Sequence, residues 1–169
     1  MPRPAPETYP AFYANYIAYV DTETVKEAVD RYTNDIIKFW RNIPLEKEEY
    51  SYSEGKWTIK EMVQHIIDTE RIFAYRAVCI ARKDTTSLPG FDENFYATNS
   101  KANARSWDDL LAELEATRIS TNFLLQSFDD EQLQEQGFSN NNPITVNAIG
   151  FIIFGHILHH IRVVQQRYL

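Results

Sequence analysis

Residues 145–169 read TVNAIGFIIFGHILHHIRVVQQRYL. Within them Val146, Ile149, Ile153, His156, His160 and Val163 follow one another three or four apart. That is the period of one helix face. The stretch therefore predicts a long apolar helix, starting near Thr145, whose buried seam is continued by two histidines. His159 falls on another stripe, with Ile152, Gly155, Arg162 and Gln166. That stripe is more polar, and it is expected to face outward or toward a partner chain.

Working outward, three further segments carry the same period. From about Thr22 to Asn42 the apolar positions are Val25, Val29, Tyr32, Ile36, Phe39 and Ile43, and Pro44 ends the segment. From Thr58 to about Lys83 they are Ile59, Met62, Ile66, Phe73, Ala77 and Ile80, broken by the polar Thr69; Thr58 and Glu61 form a capping box. From Ser106 to about Phe128 they are Trp107, Leu110, Leu114, Thr121, Leu124 and Phe128, with Asp108 and Asp109 in the first turn. Ahead of these, Tyr9, Phe12, Tyr13, Tyr16, Tyr19 and Val20 predict a short aromatic helix, after a proline-rich extended start.

Four such helices, each about 30 Å long, predict an all-α four-helix bundle in one domain, 1–169. The second link, Asp84 to Arg105, is the longest, at about 22 residues. A link that long crosses over or carries function. A crossover gives an up-down-down-up order, in which the second and fourth helices run antiparallel.

The composition narrows the function. A net charge of −7 argues against nucleic acid as a partner. No run of about 18 apolar residues predicts a membrane span, and MPRPAPETYP lacks the apolar stretch of a signal peptide. The lone cysteine, Cys79, forms no internal disulfide and reads as a small core residue. A cytoplasmic location is expected.

All four histidines lie in the second and fourth helices. At 1.5 Å per residue, His65 sits about 10 Å from the start of its helix, and His160 and His156 about 12 and 18 Å from the end of theirs. Antiparallel packing brings His65, His156 and His160 into one slab near one end of the bundle. Imidazoles four apart reach one metal ion at about 2.0–2.1 Å. The expectation is a divalent metal centre on these three residues. No glutamate stands between His156 and His160 in the metalloprotease pattern.

The strings GKWTIKEMVQHIIDTERIFAYRA (55–77), LPGFDEN (88–94) and GHILHHIRVVQQRYL (155–169) resemble the DinB-like superfamily over nearly the whole chain. The resemblance implies a four-helix bundle with zinc or nickel on three histidines, here His65, His156 and His160. It also implies a metal-dependent hydrolase, or an enzyme transferring a low-molecular-weight thiol to a small-molecule substrate, often as a homodimer. The alternative is a metal-binding or interaction module without turnover.

The remaining polar residues carry less. Asp68, one turn after His65, is a candidate for the outer shell of the metal, set against pairing with Arg71 or solvent; Glu70 stands beside it. Arg76, Arg82 and Lys83 are candidates for holding an anionic substrate, set against solvated helix surface. Pro89 to Glu93 is a candidate lid. Tyr32 and Trp107 sit in seams and need partners for their polar atoms. No catalytic base is assigned.

Overall fold

The computed structural model describes residues 1–169. Four long helices form the bundle: α2 (Val25–Arg41), α3 (Ile59–Ala81), α5 (Trp107–Ser127) and α7 (Val146–Arg167). Each is started by a side chain that accepts a backbone N–H. Thr24 and Thr58 do so in full capping boxes, and Ser106 and Thr145 through their hydroxyls. The bounds fall within three residues of those read from periodicity.

Cross-helix pairs give the directions. Asn122 reaches Thr33 and Arg41 reaches Glu115, so α2 and α5 are antiparallel. Arg105 reaches Gln64 and Arg118 reaches Glu70, so α3 and α5 run together. The Tyr168 hydroxyl, just past α7, donates to the Trp57 carbonyl, just before α3, at 2.8 Å. These two helices are therefore antiparallel, and the order is up-down-down-up. Helix α3 lies between α5 and α7, which buries it on most sides, Lys60 and Gln64 included.

The seams differ from expectation in detail. Trp40 is fully buried, whereas Tyr32 and Phe39 are half-buried. In α5 it is Leu125 that enters the core, and Leu124 lies at its edge. In α7 the seam ends on Val164 rather than Val163. By length and composition α7 is apolar enough to cross a membrane, but 72% of its apolar window is buried inside the bundle. It is the core helix, packed against α2 and α3.

The links are not structureless. The crossover carries α4 (Glu93–Asn99), capped by the Asp92 carboxylate, which accepts from the Phe95 N–H at 2.9 Å. The third link carries α6 (Asp130–Gln134) and a hairpin of β1 (Gln136–Ser139) and β2 (Asn142–Thr145). Its turn residues, Asn140 and Asn141, both have positive φ, as a tight two-residue hairpin turn requires. Pro143, expected in a loop, stands in β2 opposite Phe138. The hairpin clasps the crossover: the Leu88 N–H donates to the Phe138 carbonyl and the Asn140 N–H to the Leu88 carbonyl, at 3.0 and 2.8 Å.

The aromatic segment forms α1 (Ala14–Tyr19), entered through a 3-10 turn at Ala11–Tyr13. It lies across α7. A Cβ on Gly155 would come within 2.0 Å of the Tyr16 carbonyl oxygen, so the two backbones touch where α7 has no side chain. The stripe expected to face outward is thus the seat of α1. Ile152 is fully buried, His159 lies against the Tyr16 and Tyr19 rings, and the Arg162 guanidinium sits 4.6 Å from the Tyr19 ring centre.

Candidate metal centre

His65, from the first half of α3, meets His156 at the middle of α7 and His160 one turn further on. The His156 Nε2 atom lies 3.0 Å from Nε2 of His65 and 3.0 Å from Nε2 of His160. One ring nitrogen from each of the three falls within 4.8 Å of the others, and all three residues are buried. The four-residue spacing in α7 and the antiparallel run of α3 are what bring them together.

The arrangement is unfavourable without a cation. A neutral imidazole nitrogen either donates or accepts. If His156 Nε2 carries a proton it serves one neighbour and not both; if it accepts, two donors crowd one lone pair. With all three Nε2 lone pairs turned inward, the set matches a metal held at about 2.0–2.1 Å, for which tetrahedral nitrogens stand roughly 3.3 Å apart. The His160 Nδ1 atom is buried without a partner, and the His65 Nδ1 atom faces the Thr69 hydroxyl at a long 3.5 Å. Burial holds the His65 imidazole down to about 4. It holds His156 and His160 well below the ordinary range too, with neighbouring imidazoles adding to the effect. All three are therefore neutral at pH 7, the form that ligates metal.

Above the cluster opens a pocket of about 370 Å³. Its walls come from α1 and the turn before it (Tyr13, Tyr16), from the residue before the α3 cap (Trp57), from α3 (Thr69, Phe73) and from the start of α4 (Glu93, Asn94). The Trp57 ring lies 4.7 Å from the His65 ring, and Tyr16 meets His156 edge-on at 5.6 Å.

Other expected residues lie elsewhere. Asp68 accepts from the Gln64 amide at 2.9 Å and does not reach a histidine; Thr69 takes the position expected of it. Glu70 pairs with Arg118 at 3.0 Å, both fully enclosed. Arg71 pairs with Glu113. Arg76 is buried and donates to the Pro89 carbonyl at 2.7 Å, tying down the 89–93 loop. Lys83 pairs on the surface with Glu131 and Glu135. Arg82 is exposed and Cys79 is buried. Phe91 and Glu93 of the candidate lid do line the pocket. The Tyr32 hydroxyl accepts from the Asp21 N–H at 2.8 Å. Sequence reasoning overlooks Thr69 as a neighbour of His65, although four-residue spacing places it there. It also overlooks Trp57, whose position depends on Tyr168 at the far end of the chain.

The sequence profile described as the DinB superfamily matches residues 28–164. Among solved structures, one similar chain is YfiT from Bacillus subtilis, described as "a probable metal-dependent hydrolase with an unusual four-helix bundle topology". It superposes with a TM-score of 0.68 at 19% identity, over 98% of this chain and 92% of that one. Comparison with curated proteins finds no match.

Proposed function

The chain belongs to the DinB superfamily, and from there we propose that it is a divalent-metal enzyme whose ion, zinc or nickel, is held by His65, His156 and His160. The observation that carries this reading is the convergence of three neutral, buried Nε2 atoms on the floor of an aromatic pocket. A site closed by four protein ligands would be structural; three ligands beside a cavity leave a position for chemistry. When bound, the ion supplies Lewis-acid activation of a water or a thiol at that open position.

The protein's own part is to hold and shield. Thr69 orients the His65 ring, and Trp57, pinned by Tyr168, covers its other side. Tyr13, Tyr16 and Phe73 exclude bulk water from one flank. Metal-dependent hydrolysis is the activity ascribed to YfiT, and it is the first reading for this chain. Transfer of a low-molecular-weight thiol is the second, and one feature favours it. The histidines hydrogen-bond only one another and Thr69, and the pocket's one carboxylate, Glu93, lies at its exposed mouth rather than bonded to an imidazole, so none is in place on the floor to take a proton from water. A coordinated thiol is deprotonated by the ion itself. The substrate is a small molecule on either reading, and a homodimer in the cytoplasm is part of the proposal. The net charge of −7 supports leaving nucleic acid out of it.

The test is metal content by mass spectrometry on untagged protein, wild type beside His160→Ala. About one ion per chain is expected in the wild type and none in the variant. Wild-type protein that stays metal-free after incubation with zinc and with nickel overturns the reading.

A further inference from the structure

The pocket above the imidazoles is lopsided in charge. Its walls are rings, among them Tyr13, Tyr16, Trp57 and Phe73, and its one carboxylate is Glu93. No lysine or arginine lines it. The cation behind the wall, Arg76, is engaged by the Pro89 carbonyl and lies 5.2 Å from the Phe73 ring centre. Burial raises the Tyr13 and Tyr16 phenols above their ordinary range; the Arg76 charge opposes the rise at Tyr13, and the Glu93 charge adds to it at both. Both rings therefore stay neutral and electron-rich at pH 7.

An anion in this chamber meets aromatic faces and a carboxylate. A cation meets the same groups with the opposite sign of interaction and is attracted by both rings and carboxylate. Glu93 lies at the exposed mouth and the histidines at the buried floor. A ligand positive at one end is thus oriented with that end outward, away from the floor.

We propose that the chamber selects small organic cations, amines or quaternary ammonium compounds, by seating the positive group among the Tyr13 and Tyr16 rings and the Glu93 carboxylate. This deepens the metal-enzyme reading by naming the substrate class of the same site. The selectivity itself resides in the aromatic walls and Glu93, and operates in metal-free protein.

Three probes of one shape test it: choline, its uncharged isostere 3,3-dimethylbutan-1-ol, and the anion 3,3-dimethylbutanoate. Binding is followed by calorimetry or Trp57 fluorescence, on metal-free and zinc-loaded protein, with circular dichroism as the check of folding. Metal-free wild type is expected to bind choline at least tenfold more tightly than the alcohol, and the carboxylate more weakly than either. Glu93→Gln reduces the choline preference to threefold or less, and Glu93→Lys reverses the order of choline and carboxylate. Equal binding of choline and the alcohol overturns the proposal, as does a preference that both variants leave unchanged. Zinc content is measured on the same samples. Choline preference in protein that takes up neither zinc nor nickel sinks the metal reading and leaves the selectivity standing; bound metal without the preference does the reverse.

Discussion

Two polar clusters lie within the bundle, and both draw on α3, five residues apart. His65 faces α7 and joins His156 and His160. Glu70 faces α5 and joins Arg118, whose guanidinium also lies 4.6 Å from the Phe154 ring centre. Both clusters are buried, and burial disfavours charge in both. It pushes the Glu70 carboxyl up and the Arg118 guanidinium down, each opposed by the partner's charge. The outcomes differ because the histidines can be neutral and open onto a cavity, while the ion pair is sealed. At 3.0 Å the pair is close, yet the Arg118 nitrogens lack aligned hydrogen bonds, so charge and packing hold it. A sealed pair sets which helices meet; converging neutral donors at a cavity await a ligand.

The largest effect separating the two should come from Arg118→Ala. It strands the Glu70 carboxylate and is expected to lower unfolding free energy by about 3–5 kcal/mol. The pair Glu70→Leu with Arg118→Met should recover most of it. Urea denaturation measures both, and a loss below about 1 kcal/mol for the single variant breaks the contrast.

Next comes pH. The unfolded His65 imidazole takes up a proton near 6.5, and the folded one only at about 4. Between these values the unfolded state binds more protons, so stability falls as pH falls through the window and is fully present above 6.5. The shift corresponds to about 3 kcal/mol from His65 alone. Metal-free protein should show this slope in chemical denaturation across a pH series from neutrality down to that lower value, and His65→Leu should reduce it. An unchanged slope in that variant would remove His65 from the account.

The smallest expected effect sharpens the metal side. Thr69→Val keeps the shape of α3 but removes the hydroxyl facing His65 Nδ1. A roughly tenfold loss of zinc affinity, about 1.4 kcal/mol, is expected from losing an outer-shell partner. Competition with a chelator reads it. Urea stability of the metal-free variant should fall by only about 0.5–1.5 kcal/mol, the range of one hydrogen bond.

The histidine cluster is legible in the sequence because it rests on regular geometry. Spacing of four in α7, helix direction from the length of the Asp84–Arg105 link, and rise per residue place His65 beside His156 and His160. The ion pair is not legible. Glu70 and Arg118 are ordinary helix-surface residues until α5 is set against α3, and nothing local announces that contact. The hairpin escapes a sequence reading because its strands have four residues each, one contains Pro143, and Asn140–Asn142 reads as a loop. The polar character of its stripe predicts His159 outward or toward a partner chain. The stripe is instead covered by α1, six residues long, whose burial there depends on the missing side chain of Gly155.

That glycine ties access to the site to one end of the polypeptide. A helix of six residues has no stability of its own in water, so α1 persists only while seated on α7. It carries the Tyr16 wall and, through the preceding turn, Tyr13. Both rings pack on the edge of the core and wall the chamber. Lifting of α1 from α7 would therefore open the chamber, and such local opening costs at most the free energy of global unfolding. Amide exchange in α1 would report how often the imidazoles meet bulk solvent.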